Sequence, residues 1–298
     1  MKHILSIVVC ALLSAWPAMA QGDLLARVNK AYRDGDLKTA QTLADEAVKD
    51  PALESSAEMW VLRGFIYKDL YKQAEGKQAA ILRDEALASL YTAITKDKVG
   101  QYTASSVPAY WFLAKTIYND AAHALGQLEP AQAIAFYAKY GEALRRMNQD
   151  TVNLPRDIEF QNALGTVYVK RFAADRQQLN WYDKAVDAYK RVLQMDSNNY
   201  GANYNLATLY YNRGVYNIQR ISADNDIPSI QQIQEASREF FTKALPYMLK
   251  AHRMKPDRPE TILGLEGIHY SLQDEEQSRR YRHLYEELHH DEQKEKGQ

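Results

Sequence analysis

One stretch constrains the fold more than any other: residues 182–214 encode two helices and the turn between them. The first helix places apolar residues at spacings of four and three, which puts them on one face: Ala185, Tyr189 and Val192. Residues 196–199, Asp-Ser-Asn-Asn, favour a turn and a helix cap. The second helix carries an inner face of similar character: Leu206, Ala207 and Tyr210. We therefore expect two closely packed helices, because alanines permit close approach and tyrosines fill the remaining space.

The same small and aromatic positions recur along the chain. In order they are Gly35, Ala40, Ala44 and Ala47; Trp60, Gly64, Tyr67, Ala86, Leu90 and Ala93; Tyr110, Leu113, Ala114, Ile117, Gly126, Ala131, Ala135 and Ala138; Leu164, Gly165, Tyr168, Ala185, Tyr189 and Val192; Leu206, Ala207, Tyr210, Ala244, Met248 and Ala251; and Leu265, Tyr270, Ser278 and Tyr285. This series resembles the tetratricopeptide repeat (TPR) family, although Arg63 stands where the family has leucine. The resemblance implies an all-α fold, an α-solenoid of about six helix pairs. It also places Gly165 and Ala207 at tight helix crossings.

Prolines and repeat lengths add detail to this expectation. Five prolines stand where we expect helices to begin: Pro108, Pro130, Pro155, Pro228 and Pro259. Pro246 falls inside a helical pattern. Repeats two to five are longer than the family's period, which predicts lengthened helices or insertions between the first helix (A) and the second helix (B) of a repeat. Residues 222–226 are the best candidate for a true loop, with Asp226 or Ser229 as the following helix cap.

The N-terminus has the pattern of a secretory signal peptide. Lys2 and His3 precede an apolar run, and Ala18-Met19-Ala20 places small residues before a cut at Gln21. A membrane anchor is the alternative, but the run is short and contains a proline. Lipid attachment at Cys10 is a further alternative. The predicted organisation is a signal peptide at 1–20, a TPR-like solenoid at 21–290 and a polar tail at 291–298, in a protein that is periplasmic or extracellular.

The composition argues against several functions. The formal net charge is −1, the pI is about 6.7, and no block of Lys or Arg stands out, which argues against a nucleic-acid partner. No hydrolase, nucleotide-binding or zinc-protease motif is present, and removal of residues 1–20 removes the one cysteine. The histidines are scattered, apart from the adjacent His289 and His290, which directly precede the polar tail. The sequence therefore predicts a non-enzymatic protein without a cofactor or metal, and without a membrane span in the mature chain.

The resemblance also implies a binding groove, because the A helices of the family line a concave surface. Transferring the family's ligand-contact positions gives Tyr32, Arg33, Lys68, Trp111, Lys115, Tyr118, Asn119, Asn162, Thr166, Lys170, Tyr204, Thr208, Tyr211 and Asn212, with Asn29 and Phe65 beside them. Asn and Lys side chains suit an extended peptide, whose amides and carboxylates they can bind. Aromatic residues can anchor its apolar side chains. Some of these aromatics could instead pack inside the repeat.

These positions predict an exported interaction scaffold that binds a peptide or protein partner in the groove. The alternative is a glycan-binding or assembly component of the bacterial cell envelope, since aromatic faces also stack on sugars. The spacing of Trp111, Lys115 and Tyr118 puts them on one helical face, and Tyr204, Thr208 and Tyr211 repeat that spacing. We expect these rows, with that of Asn162, Thr166 and Lys170, to form one continuous strip.

Overall fold

The computed structural model describes residues 23–147 and 154–296, so the predicted signal peptide lies outside the described residues. The described residues contain twelve long helices, one single-turn helix and no strand. The helices are α1 (23–33), α2 (Leu37–Ala47), α3 (Pro51–Glu54), α4 (Ala57–Gln73), α5 (Gly76–Lys96), α6 (Thr103–Gly126), α7 (Pro130–Arg146), α8 (Leu154–Ala174), α9 (Leu179–Met195), α10 (Tyr200–Gln219), α11 (Ile227–Met254), α12 (Pro259–Ser271) and α13 (Glu275–Lys296).

The long helices form six antiparallel pairs. The pairs are α1 with α2, α4 with α5, α6 with α7, α8 with α9, α10 with α11, and α12 with α13. The turn inside a pair has two to seven residues, which returns the chain beside the helix it has just left. The predicted all-α helical-repeat fold with six helix pairs is therefore confirmed. The extra length of repeats two to four lies mainly in longer helices, and α13 continues as helix through residues 291–296.

The described residues form two compact units. The first comprises those within 1–121 and 132–151, and the second those within 122–131 and 152–298. In the first unit, one core lies between the first and second helix pairs and another between the second and third. The A-helix tyrosine Tyr110 is buried in the latter core, where its hydroxyl donates to the Ala143 carbonyl oxygen at 2.9 Å. Burial raises the pKa of Tyr110 to about 12.

Two buried arginines join neighbouring helix pairs of the first unit. Arg63, which stands where the family has leucine, is 9% exposed and bonds Asp45 of α2 at 2.9 Å and Glu85 of α5 at 2.9 Å. Arg83 of α5 is 2% exposed and bonds Asp120 of α6 at 2.6 Å. A buried guanidinium requires such partners, because removing it from water without them is costly. Ion pairs therefore tie the first helix pair to the second and the second to the third.

In the second unit, helices cross closely at small residues. A Cβ placed on Gly165 of α8 would lie 2.7 Å from the ring of Tyr189 of α9, closer than van der Waals contact allows. Ala207 of α10 is completely buried. These positions agree with the tight crossings expected from the sequence. Asp226 caps α11 by accepting a hydrogen bond from the Ser229 amide at 2.9 Å, and Pro246 lies inside that helix as predicted.

Three details differ from the sequence expectation. Pro108 does not begin a helix, because the Asp97 carboxylate accepts hydrogen bonds from the amides of residues 101 and 102 and α6 begins at Thr103. Tyr270, which stands at one of the recurring small and aromatic positions, is 70% exposed, and the neighbouring His269 is buried instead.

The predicted inner face of α7 is also wrong. Its alanines at 131, 135 and 138 are exposed, whereas Ala133, Tyr140 and Ala143 are buried. Alanine is small enough to lie on either face of a helix. The large ring of Tyr140 therefore determines which face of α7 is buried.

Candidate functional site

In the first unit, the predicted groove residues of α1 and α4 meet at Asp69. The Tyr32 hydroxyl donates to the Asp69 carboxylate at 2.6 Å, while the Lys68 ammonium lies 4.0 Å from the same carboxylate. Lys68 also lies 4.2 Å from the centre of the Phe65 ring. Burial, with Asp69 adding to it, raises the pKa of Tyr32, and burial lowers the pKa of Lys68. These side chains are therefore partly engaged with each other, and Arg33 is exposed beside them.

The row on α6 combines packed aromatics with exposed polar groups. Trp111 meets the buried Tyr110 edge to face at 5.6 Å, and the Tyr118 ring lies 5.4 Å from that of Tyr140. Both rings pack against the core between the second and third pairs. Lys115 and Asn119 are exposed on the same helix. Each aromatic thus contributes part of its surface to packing and leaves the remainder accessible.

In the second unit, four predicted groove residues line one cavity of about 300 Å³. Thr166 and Lys170 approach it from α8, and Thr208 and Asn212 approach it from α10. The helices α8 and α10 are the first helices of successive helix pairs, so residues of two neighbouring pairs line one cavity. The remaining lining residues are Val169, Phe172, Ala173, Arg176, Tyr189, Asn205 and Leu209.

The hydroxyl of Tyr189 gives this cavity a polar group from α9. It lies 3.4 Å from the Thr166 hydroxyl, and burial raises its pKa although hydrogen bonds with Thr166 and Asn205 act in the opposite direction. Tyr189 therefore stays protonated at neutral pH and is able to donate a hydrogen bond. The lining includes the cations Lys170 and Arg176 and no described acidic side chain. The cavity thus combines hydrogen-bonding groups with positive charge.

The other predicted residues of the second unit stabilise the helices around the cavity. The Asn162 amide donates to Asn199 Oδ1 at 3.3 Å, and Asn199 caps α10. Tyr204 stacks on Tyr200 with ring centres 6.1 Å apart, and Tyr200 donates to Glu260 at 3.0 Å. Tyr211 packs 5.7 Å from Phe241, and its hydroxyl occupies the space beside Gly267 where a Cβ would be.

Sequence reasoning missed Asn205 and Arg176 as cavity residues. Asn205 lies outside the transferred family positions, and Arg176 lies in the turn after α8. Among the residues whose surroundings the structure describes, no cluster of three His, Cys, Asp or Glu side chains could hold a metal ion. Nor does any described helix have the length and apolar character needed to cross a membrane.

No family model matches the chain, and a search of curated proteins gave no match. Solved structures do resemble it. A TPR repeats protein from Bacteroides fragilis is 18% identical, with 84% of this chain and 98% of that chain covered and a TM-score of 0.46. PilF of Pseudomonas aeruginosa is 15% identical, with coverages of 91% and 92% and a TM-score of 0.36.

Human IFIT1, solved as a dimer with m7Gppp-AAAA, is 15% identical. The match covers 87% of this chain and 58% of that chain, with a TM-score of 0.36. Since all three TM-scores lie below 0.5, the helical-repeat assignment rests on the helix pairs described above.

Proposed function

We propose that this chain is a non-enzymatic, exported interaction scaffold that binds an extended peptide segment of a partner protein. The α8–α10 cavity is the observation that carries the proposal. Its volume of about 300 Å³ suits one or two peptide side chains rather than a whole folded partner. Asn205 and Asn212 can bind main-chain amides, and Lys170 can bind a carboxylate.

The packing of Tyr204 and Tyr211 favours a peptide over a glycan beside the α8–α10 cavity. Sugar binding by stacking requires an open ring face, but Tyr204 is stacked on Tyr200 and Tyr211 packs against Phe241. Polar side chains from two neighbouring A helices instead converge on the cavity, which matches the alternating donors and acceptors of an extended main chain.

Selection from a library of random dodecapeptides against the purified full chain tests this proposal. We expect the selected peptides to bind the Lys170→Ala and Asn212→Ala variants more weakly, by about three- to tenfold each, as is usual for charges and amides at the edge of an interface. Lys243→Ala is the matched control, because Lys243 lies on α11, outside the cavity, and pairs with Glu239 at 3.6 Å. The proposal fails if no peptide is selected, or if affinity is unchanged in both cavity variants while their helicity is retained.

A further inference from the structure

Three arginines of the second unit surround one tyrosine ring. The guanidinium carbons of Arg176 and Arg213 each lie 5.6 Å from the centre of the Tyr216 ring, and that of Arg220 lies 5.7 Å from it. Arg176 comes from the turn after α8, Arg213 and Tyr216 from α10, and Arg220 from the C-cap of α10. These four residues are called the arginine cluster below.

Within the part of the chain that the structure describes, no arginine of the cluster forms a salt bridge. Other arginines of the same unit do: Arg282 pairs with Glu266 at 2.7 Å, Arg279 with Glu275 at 3.7 Å, and Arg258 with Glu260 at 3.9 Å. Five further arginines of this unit also form no ion pair among the described residues: Arg171, Arg191, Arg238, Arg253 and Arg280. What distinguishes the cluster is that three unpaired guanidinium groups meet at one ring.

The carboxylate of Asp175, which is adjacent to Arg176 in the sequence, forms hydrogen bonds with residues outside the cluster. Asp175 accepts hydrogen bonds from the Gln177 amide at 3.0 Å and from the Gln178 side chain at 2.8 Å. The Tyr216 ring attracts each cation through its π face, but it supplies no full negative charge. Three like charges held around one ring repel each other, so an external anion that neutralises them is favoured.

The cluster is continuous with the α8–α10 cavity, because Arg176 lines that cavity and also contacts the Tyr216 ring. From these observations we propose that the arginine cluster binds an acidic segment, with two or more neighbouring Asp or Glu residues, of the peptide that occupies the cavity. This inference rests on the proposed function and adds to it the chemical class of the partner.

An acidic peptide fits these residues better than RNA does. Arginine forms paired hydrogen bonds with carboxylates, and the cavity offers Asn and Thr side chains for a peptide main chain. Single-stranded RNA requires a longer basic surface with open aromatic faces on which the bases stack. The Tyr216 ring is already in contact with three guanidinium groups, so it offers no such face.

The test is the same dodecapeptide selection, performed on the wild type and on the triple variant Arg176→Gln, Arg213→Gln, Arg220→Gln. We expect the wild type to select peptides rich in neighbouring Asp and Glu residues, and the triple variant to lose that preference. For the strongest acidic peptide, the triple variant should raise Kd about tenfold or more at low salt, and the difference should shrink as salt screens the charges.

The matched control is the triple variant Arg258→Gln, Arg279→Gln, Arg282→Gln, which removes the same charge from the same unit at arginines that already have carboxylate partners. It should retain the acidic preference, and circular dichroism should show both triple variants to be folded. An equal loss in the control would assign the effect to net charge and overturn the inference.

Two further outcomes separate this inference from the proposed function. Peptides that depend on Lys170 and Asn212 but show no acidic preference would overturn the inference and leave the proposed function standing. Selection of no peptide would refute both. A labelled oligouridine in the same assay tests whether the cluster binds RNA instead. If the triple variant loses affinity for oligouridine but keeps its affinity for the peptide, the cluster is not an acidic-peptide site.

Discussion

At the scale of single residues, a glycine of α8 makes room for a large side chain of α9. Gly165→Ala would place a Cβ 2.7 Å from the Tyr189 ring, so the ring or the helix must shift. We expect the variant to lower the free energy of unfolding by about 1–3 kcal/mol, measured by urea denaturation. Because Tyr189 also lines the cavity, the peptide affinity should fall as well.

Gly201→Ala is the control within the same unit. Its new Cβ would meet only the Asn199 side chain, at an ordinary contact distance of 3.6 Å. That variant should be neutral or stabilising by up to about 1 kcal/mol, because alanine favours the helix over glycine. Equal stability in the two variants would show that the α8–α9 crossing tolerates a methyl group.

A second residue-scale prediction concerns His252 of α11, whose ring meets Tyr281 edge to face at 5.7 Å. Burial lowers the pKa of His252, and the nearby Arg280 adds to the shift, while Asp257 opposes it. The unfolded chain then binds the proton more readily than the folded chain does. The stability that His252 contributes is therefore present above the unfolded pKa, which is about 6.5, and is lost as the pH falls toward the folded pKa.

We expect the thermal midpoint of unfolding to decrease as the pH is lowered from about 7 to about 5, and to decrease less in His252→Gln. Differential scanning fluorimetry across this range measures the effect. His123→Gln, a change at an exposed histidine, should leave the pH dependence as in the wild type. A pH dependence that survives unchanged in His252→Gln would assign it to other groups.

At the scale of the helix, the start of α10 depends on Asn199. Its side-chain oxygen accepts hydrogen bonds from the Ala202 amide at 3.0 Å and from Asn162 of α8 at 3.3 Å. Asn199→Ala should lower the free energy of unfolding by about 1 kcal/mol, as is typical for the loss of a helix cap. Asn199→Asp retains both acceptor interactions and should restore most of this loss. Chemical denaturation that shows no difference between the two variants would contradict the assigned cap.

The helices were largely predictable from the sequence, because the spacing of apolar residues within one helix indicates which face is buried. Ala185, Tyr189 and Val192 are all buried, as their spacing indicates. Prediction failed on α7, whose many alanines do not distinguish the two faces. It also missed the arginine cluster, because Arg176 and Arg220 are distant in sequence and only the packing of α8 against α10 brings them to one ring. The cavity was partly anticipated, through Thr166, Lys170, Thr208 and Asn212.

At the scale of the whole molecule, the proposed export leads to a specific covalent prediction. The apolar run after Lys2 and the small residues Ala18 and Ala20 predict a cut before Gln21. Protein recovered after secretion should begin at Gln21, as measured by N-terminal sequencing or intact mass. Retention of Met1 would favour an anchored chain, and a lipid on Cys10 would favour a lipoprotein.

The buried arginines of the first unit have a consequence for its folding cooperativity. Arrays of helical repeats can open one repeat at a time when the coupling between neighbours is weak. Here Arg63 joins α4 to both α2 and α5, and Arg83 joins α5 to α6. Opening the first pair would separate Arg63 from Asp45, and opening the third pair would separate Arg83 from Asp120, so each opening breaks a charge-assisted hydrogen bond as well as apolar contacts. The first three helix pairs should therefore exchange their amide hydrogens with one shared opening free energy, so that a ligand bound to any one pair protects the amides of the other two.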